Sequence, residues 1–179
     1  SLVSAGHSTA VLRAASYASP MAAFQDGMAG IAYYQFIEKL DREFDDRKEE
    51  IIENLKSLMV EILRPENLCI SYTGERESLD SVQKQIRELK KTLHQEVTES
   101  SSSEMICQKK NEGFMTSGQV QYVAQAGNFR KKGYDYTGAL NILKVALSYD
   151  YLWINIRVKG GAYGCMSGFK YSGERFFVS

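Results

Sequence analysis

The stretch Arg157-Val158-Lys159-Gly160-Gly161-Ala162-Tyr163-Gly164 constrains this chain more than any other, because a different kind of element is predicted on each side of it. Leu140, Leu143, Leu147, Tyr151 and Ile154 precede it at helical spacing. Cys165, Ser167, Phe169 and Tyr171 follow it in alternation with Met166, Gly168 and Lys170, the period of a strand. The stretch therefore reads as a helix-to-strand turn. Gly160 and Gly161 can take the positive φ that ends a helix. Arg157 falls on the last helical turn, where a cation suits the helix dipole, and Tyr163 falls where the strand begins. A guanidinium and a phenol flanking a bare backbone turn form a donor-rich ledge, able to hold peptide carbonyls or an oxyanion. Arg157 and Tyr163 are the candidate catalytic residues; Lys159, Gly160 and Gly161 are candidate substrate-binding positions. On spacing alone the same features equally suit an ordinary helix end and a packed tyrosine.

Charge narrows the classes. Lys+Arg and Asp+Glu both number 22 in 179 residues, so no net field steers the chain to nucleic acid or an anionic membrane. No apolar run is long enough to span a bilayer, and the start lacks the basic and apolar regions of a signal peptide. Cys69, Cys107 and Cys165 have neither metal-ligand nor redox spacing. They read as free thiols of a reducing compartment, with Cys69 and Cys165 expected to be buried in strands.

Taken in order, residues 1–26 predict short helical turns around Ser8–Ser16 and Met21–Phe24, with a break at Pro20. A helix carries Tyr33, Phe36, Ile37, Leu40 and Phe44 on one face. Asp45-Asp46 interrupts it and offers an N-cap for the next helix. That helix has the clearest stripe: Ile51, Ile52, Leu55, Leu58, Met59, Ile62 and Leu63. It stops before Pro65. Leu68-Cys69-Ile70-Ser71-Tyr72 reads as a short strand. A third helix has Leu79, Val82, Ile86, Leu89 and Leu93 on one face.

Ser100-Ser101-Ser102-Ser103 is a low-complexity linker signal. It divides the chain into 1–96, a linker at 97–112, and 113–179. Beyond it, Gly118–Ala126 alternates weakly like a strand, and Arg130-Lys131-Lys132-Gly133 reads as a solvated cationic turn. A helix covers Gly138–Ile156, and Phe176-Phe177-Val178-Ser179 ends the chain as an apolar strand. About four strands and one helix make a sheet too small to bury its apolar faces. With a first residue that is not Met, this predicts a piece of a longer protein.

Several chemistries are missing. His7 and His94 are the only histidines, and neither lies in a zinc-peptidase motif. There is no nucleophile elbow and no phosphate loop. Gly161-Ala162-Tyr163-Gly164 joins helix to strand, the wrong order for a dinucleotide fingerprint. No complete active site can be assembled from these residues.

The ledge gains weight from a resemblance. Arg157–Gly164, preceded by Tyr151-Leu152-Trp153, resembles a segment of the presequence-protease branch of the pitrilysin/insulysin zinc metallopeptidases. Leu12-Arg13-Ala14-Ala15-Ser16-Tyr17-Ala18-Ser19-Pro20 and Gly30-Ile31-Ala32-Tyr33-Tyr34-Gln35-Phe36 resemble the third domain of the same enzymes. The resemblance implies an α+β, two-layer fold with mostly antiparallel sheet and packed helices. Residues 1–96 would end a third domain and 113–179 begin a fourth. It further implies a zinc endopeptidase whose two halves close on an unfolded peptide. Zinc and its ligands belong to the N-terminal catalytic half, outside this chain. The C-terminal half contributes an arginine and a tyrosine, here Arg157 and Tyr163. The implied partners are a peptide substrate and that catalytic half, with no nucleic acid and no membrane. The implied location is cytoplasmic in a bacterium, or a mitochondrial or plastid matrix. A non-catalytic structural or interaction domain of the same superfamily is the alternative.

Overall fold

The computed structural model describes Leu2, residues 4–95, Met105 and residues 107–179. The serine-rich linker at Ser100–Ser103 lies outside the described residues. The fold is α+β: helices dominate, and one small antiparallel sheet closes the C-terminal part. By internal contacts the chain divides into two compact units, Ser1–Lys39 with Glu104–Ser179, and Leu40–Ser103.

In the first unit, α1 (Gly6–Ser16) and α2 (Pro20–Ala29) form a helical pair. They are longer than the predicted short turns. Pro20 does not break a helix but starts one: Ser19 is the N-cap and its Oγ accepts the Ala22 N–H at 3.3 Å. Helix α3 (Ile31–Arg42) follows, and the division between the units falls within it. Strand β1 (Ala124–Asn128) packs against α1. It starts later than the predicted Gly118–Ala126 strand, because pairing with β3 begins only at Ala124 opposite Val178. Helix α6 (Ala139–Ala146) runs into a π-helix over Leu147–Val158. Strands β2 (Met166–Phe169) and β3 (Glu174–Val178) complete a sheet of order β1-β3-β2. Three strands are present among the described residues, not four, and the final apolar strand is the central one. Leu152 of the π-helix and Val178 of β3 are buried, and both border a small cavity between helix and sheet.

The second unit contains α4 (Phe44–Ile62) and α5 (Leu79–Thr92), tied where the His94 N–H donates to the Leu63 carbonyl at 3.0 Å. Asp45 and Asp46 do not cap α4; they sit inside its first turn, where carboxylates suit the dipole. Residues 68–75 form no strand, since no neighbouring strand is there to pair with them. Cys69 is consequently exposed, not buried, and Cys165 is half-buried just ahead of β2. The stripe of α4 is legible but uncovered: Leu55, Leu58, Met59 and Ile62 are all exposed.

Candidate functional site

The helix before the glycine turn is not the α-helix predicted from Leu140 to Ile154. From Leu147 the hydrogen bonds widen, and the Lys159 N–H reaches back five residues to the Ile154 carbonyl at 3.0 Å. Such helices are rare and usually a single turn, commonly near functional sites; this one runs for twelve residues. Widening changes the angular step between residues, so a stripe spaced for an α-helix no longer stays on one face. Leu152 is buried, whereas Tyr151 and Ile154 are exposed.

The turn closes in the same widened register. The Gly161 N–H donates to the Arg157 carbonyl at 3.0 Å and the Ala162 N–H to the Ile156 carbonyl at 3.2 Å. Gly161 takes φ 75°, the left-handed conformation of a helix-ending residue. Gly160 is required for a different reason: a Cβ there would stand 2.5 Å from the Ile156 carbonyl oxygen.

Arg157 and Tyr163 emerge on either side of this turn. Arg157 is exposed, with its guanidinium carbon 4.1 Å above the centre of the Trp153 ring. The contact is a cation–π stack that leaves the donor edge of the guanidinium in solvent. Tyr163 is 95% exposed, so the ring contributes almost nothing to packing. No hydrogen bond or ion pair joins the two among the described residues; they share exposure and the turn between them. Lys159 donates to the Asn155 side-chain oxygen at 3.4 Å, which holds its stem along the helix. Trp153 as a support for Arg157 is a finding of the fold. The sequence does carry a signal for it, an aromatic residue four positions before an arginine on one helix.

A second Arg–Tyr pair lies in the stretch around α1. The Arg13 guanidinium donates to Asp26 Oδ2 at 2.7 Å and to Glu112 at 2.8 and 3.2 Å. The Tyr17 hydroxyl also donates to Glu112. Asp26 is 1% exposed, and its other oxygen accepts the Ile31 N–H at 2.9 Å, capping α3. Burial alone lowers the Arg13 pKa, but hydrogen bonds to Glu112 and Asp26, with their charges, hold it above its ordinary value. Nearby, the Ser19 and Ser172 hydroxyls donate to the buried Glu174. These groups bind residues early in the chain to residues after the linker. Sequence reasoning misses Glu112, Asp26 and Glu174, because only the fold brings them near Arg13 and Ser19.

Comparison with known proteins follows the same two stretches. Residues 111–179 match the family model described as the PreP C-terminal domain, and residues 1–40 match one described as a peptidase-associated domain. Protein HypA of Clostridium perfringens is 37% identical over 174 residues, which is 97% of this chain and 18% of the relative. Presequence protease 1, chloroplastic/mitochondrial, of Arabidopsis thaliana is 27% identical over 180 residues, 97% of this chain and 16% of the relative. The chain belongs to the presequence-protease branch of the pitrilysin-type peptidases. It spans less than a fifth of the length of these two relatives.

Peptidases of this family generally use zinc. Among the described residues no group of three or more His, Cys, Asp or Glu stands together in a way that could hold a metal ion. The residues described therefore do not fit a zinc site. No described helix is long and apolar enough to cross a membrane.

Proposed function

We propose that this chain is part of the C-terminal half of a zinc-dependent endopeptidase acting on short unfolded peptides, and that it supplies a wall that holds the peptide. Residues 1–96 then end the third pitrilysin-like domain, 97–112 link, and 113–179 begin the fourth. Residues 1–39 packing with the C-terminal segment is compatible with one domain ending against the next. The metal and its ligands come from the catalytic half, the other partner of the peptide. The compartment is the cytoplasm of a bacterium, or an organelle matrix in a eukaryote.

The observation that carries this reading is the exposure of Arg157 and Tyr163 on either side of a turn, inside the segment matched by the PreP C-terminal domain. A half-ordered guanidinium and an unpartnered phenol are donors without acceptors. A peptide carbonyl, or the oxyanion formed when it is attacked, is an acceptor of the right chemistry. Lys159 places a further cation one residue before the turn, and Gly160 and Gly161 keep side chains out of the approach.

The test is Tyr163→Phe in the longer protein proposed to contain this chain. Loss of one oxyanion donor lowers kcat by roughly a hundredfold or more. KM changes little, because the bond forms chiefly in the transition state. Unchanged kcat with a lowered Tm would sink the proposal, since it would show that the hydroxyl serves the fold.

A further inference from the structure

The first unit holds a cavity of about 2350 Å³ between α1 and the irregular segment 107–123. Small-molecule sites are typically about 300–1,000 Å³, so this space is of polypeptide size. Its lining is largely apolar, with Leu12, Tyr34, Phe114 and Tyr122 among the walls. Its charges are one-sided. Lys109, Lys110, Lys131, Lys132 and Arg175 line it, and Glu112 is the sole carboxylate among the described lining residues. Glu112 is already occupied by Arg13 and Tyr17.

None of those five cations has a carboxylate partner among the described residues. Arg175 is half-buried on β3, directly opposite Gly127 of β1, so no neighbouring side chain covers it from that strand. Its guanidinium carbon lies 5.8 Å from the centre of the Phe177 ring. In the Arg130-Lys131-Lys132 turn, Arg130 is taken up by the Tyr171 ring at 4.9 Å. Lys131 and Lys132 border the cavity instead. Residues 107–122 form no backbone–backbone hydrogen bond among the described residues, so their N–H and C=O groups remain open to an extended chain.

We infer that this cavity is a second peptide-holding site, apart from the ledge, and that it takes an extended segment carrying both acidic and apolar side chains. The apolar walls accept the apolar side chains. The five cations accept the carboxylates, with Arg175 able to do so bidentately. From the proposed function the inference takes only that the ligand is a peptide.

The experiment uses the longer protein with chelator present, so that the peptide survives. A fluorescein-labelled unstructured acidic peptide with interspersed leucines is titrated by anisotropy. Its controls are a basic peptide of the same length, a single-stranded oligonucleotide and oleate. The acidic peptide is expected to bind best and to lose affinity as salt rises. Lys131→Gln with Lys132→Gln, both exposed and away from the core, should weaken it by about tenfold. Arg175→Gln should weaken it further, and circular dichroism reports whether that variant folds. Tyr163→Phe should leave this binding unchanged, so failure of the ledge and failure of this site are read separately. Binding unaffected by the lysine pair, equal binding of the basic peptide, or displacement by oleate or the oligonucleotide would each overturn the inference.

Discussion

Arg13 with Tyr17 and Arg157 with Tyr163 are the same two residue types at similar separations, in surroundings of opposite kind. Arg13 is held by two carboxylates, one of them 1% exposed, and Tyr17 shares one of them. Arg157 has an aromatic ring beneath it and solvent beyond, and Tyr163 is 95% exposed. The first pair uses its donors to join two parts of the chain. The second keeps its donors free. Residue type therefore does not separate a structural pair from a binding one here; the acceptors do.

The largest expected effect lies at the first pair. Arg13→Ala leaves the buried Asp26 carboxylate without its cation, and removing one member of a buried pair costs about 3–5 kcal/mol. Arg157→Ala should change stability by less than about 0.5 kcal/mol, as for exposed sites away from structural features. Urea unfolding of both variants breaks the comparison if the two values are alike. The pH dependence has a definite sign. A raised Arg13 pKa means that its contribution is present at all pH values below the ordinary arginine range. It is lost only as pH rises through the raised value. Titration from neutral to moderately alkaline pH should therefore leave the Arg13–Asp26 contribution intact.

The next effect separates the two tyrosines by readout. Tyr163→Phe should raise the barrier to peptide hydrolysis by roughly 3 kcal/mol with Tm nearly unchanged. Tyr17→Phe should lower stability by about 1 kcal/mol through the lost bond to Glu112, with kcat per folded molecule intact. Parallel kcat and Tm measurements on both variants check this, and a rate defect confined to Tyr17→Phe would invert the assignment.

How much of this is legible in the sequence depends on how local the cause is. The α3, α4 and α5 helices follow from apolar spacing, and the glycine turn follows from a helix meeting a strand. The π register of Leu147–Val158 is not legible, because the same residues fit an α-helix. The Leu68–Tyr72 strand fails because β pairing needs a partner that composition cannot supply. Pro20 reads as a break only when taken alone; Ser19-Pro20 together is the local signature of a helix start. At the ledge, Arg157 and Tyr163 can be named from their flanks, yet their exposure and the Trp153 stack require the fold. The Arg13–Asp26–Glu112 joint requires it entirely, since Glu112 lies 99 residues from Arg13.

A smaller effect tests whether the turn itself positions Tyr163. Gly161→Ala puts a Cβ on a residue at φ 75°, which costs about 1–2 kcal/mol. Gly160→Ala should cost more, because the new Cβ meets backbone and not a flexible side chain. If the turn sets the ledge, both variants lose peptide hydrolysis beyond what their loss of folded protein explains. Rates normalised to the folded fraction decide this, and normal rates in both would detach the ledge from the turn.

The smallest effect concerns Trp153. A cation–π contact at an exposed site is worth about 0.5–1 kcal/mol, and the Trp153 ring is 42% exposed. Trp153→Leu keeps an apolar residue on the π-helix and removes the platform beneath Arg157. Stability should move little. Arg157 should become freer, and kcat/KM should fall by roughly threefold, the rate equivalent of that contact. Arg157→Lys should also be harmful, because a point charge cannot replace a planar fork of donors and stacks less well. The two substitutions should not be additive: once Arg157 is lysine, removing Trp153 should matter less. A double-mutant cycle on kcat/KM measures this directly. A coupling near zero would mean that Trp153 does not hold Arg157 in place, and that the guanidinium is positioned, if at all, by the peptide it meets.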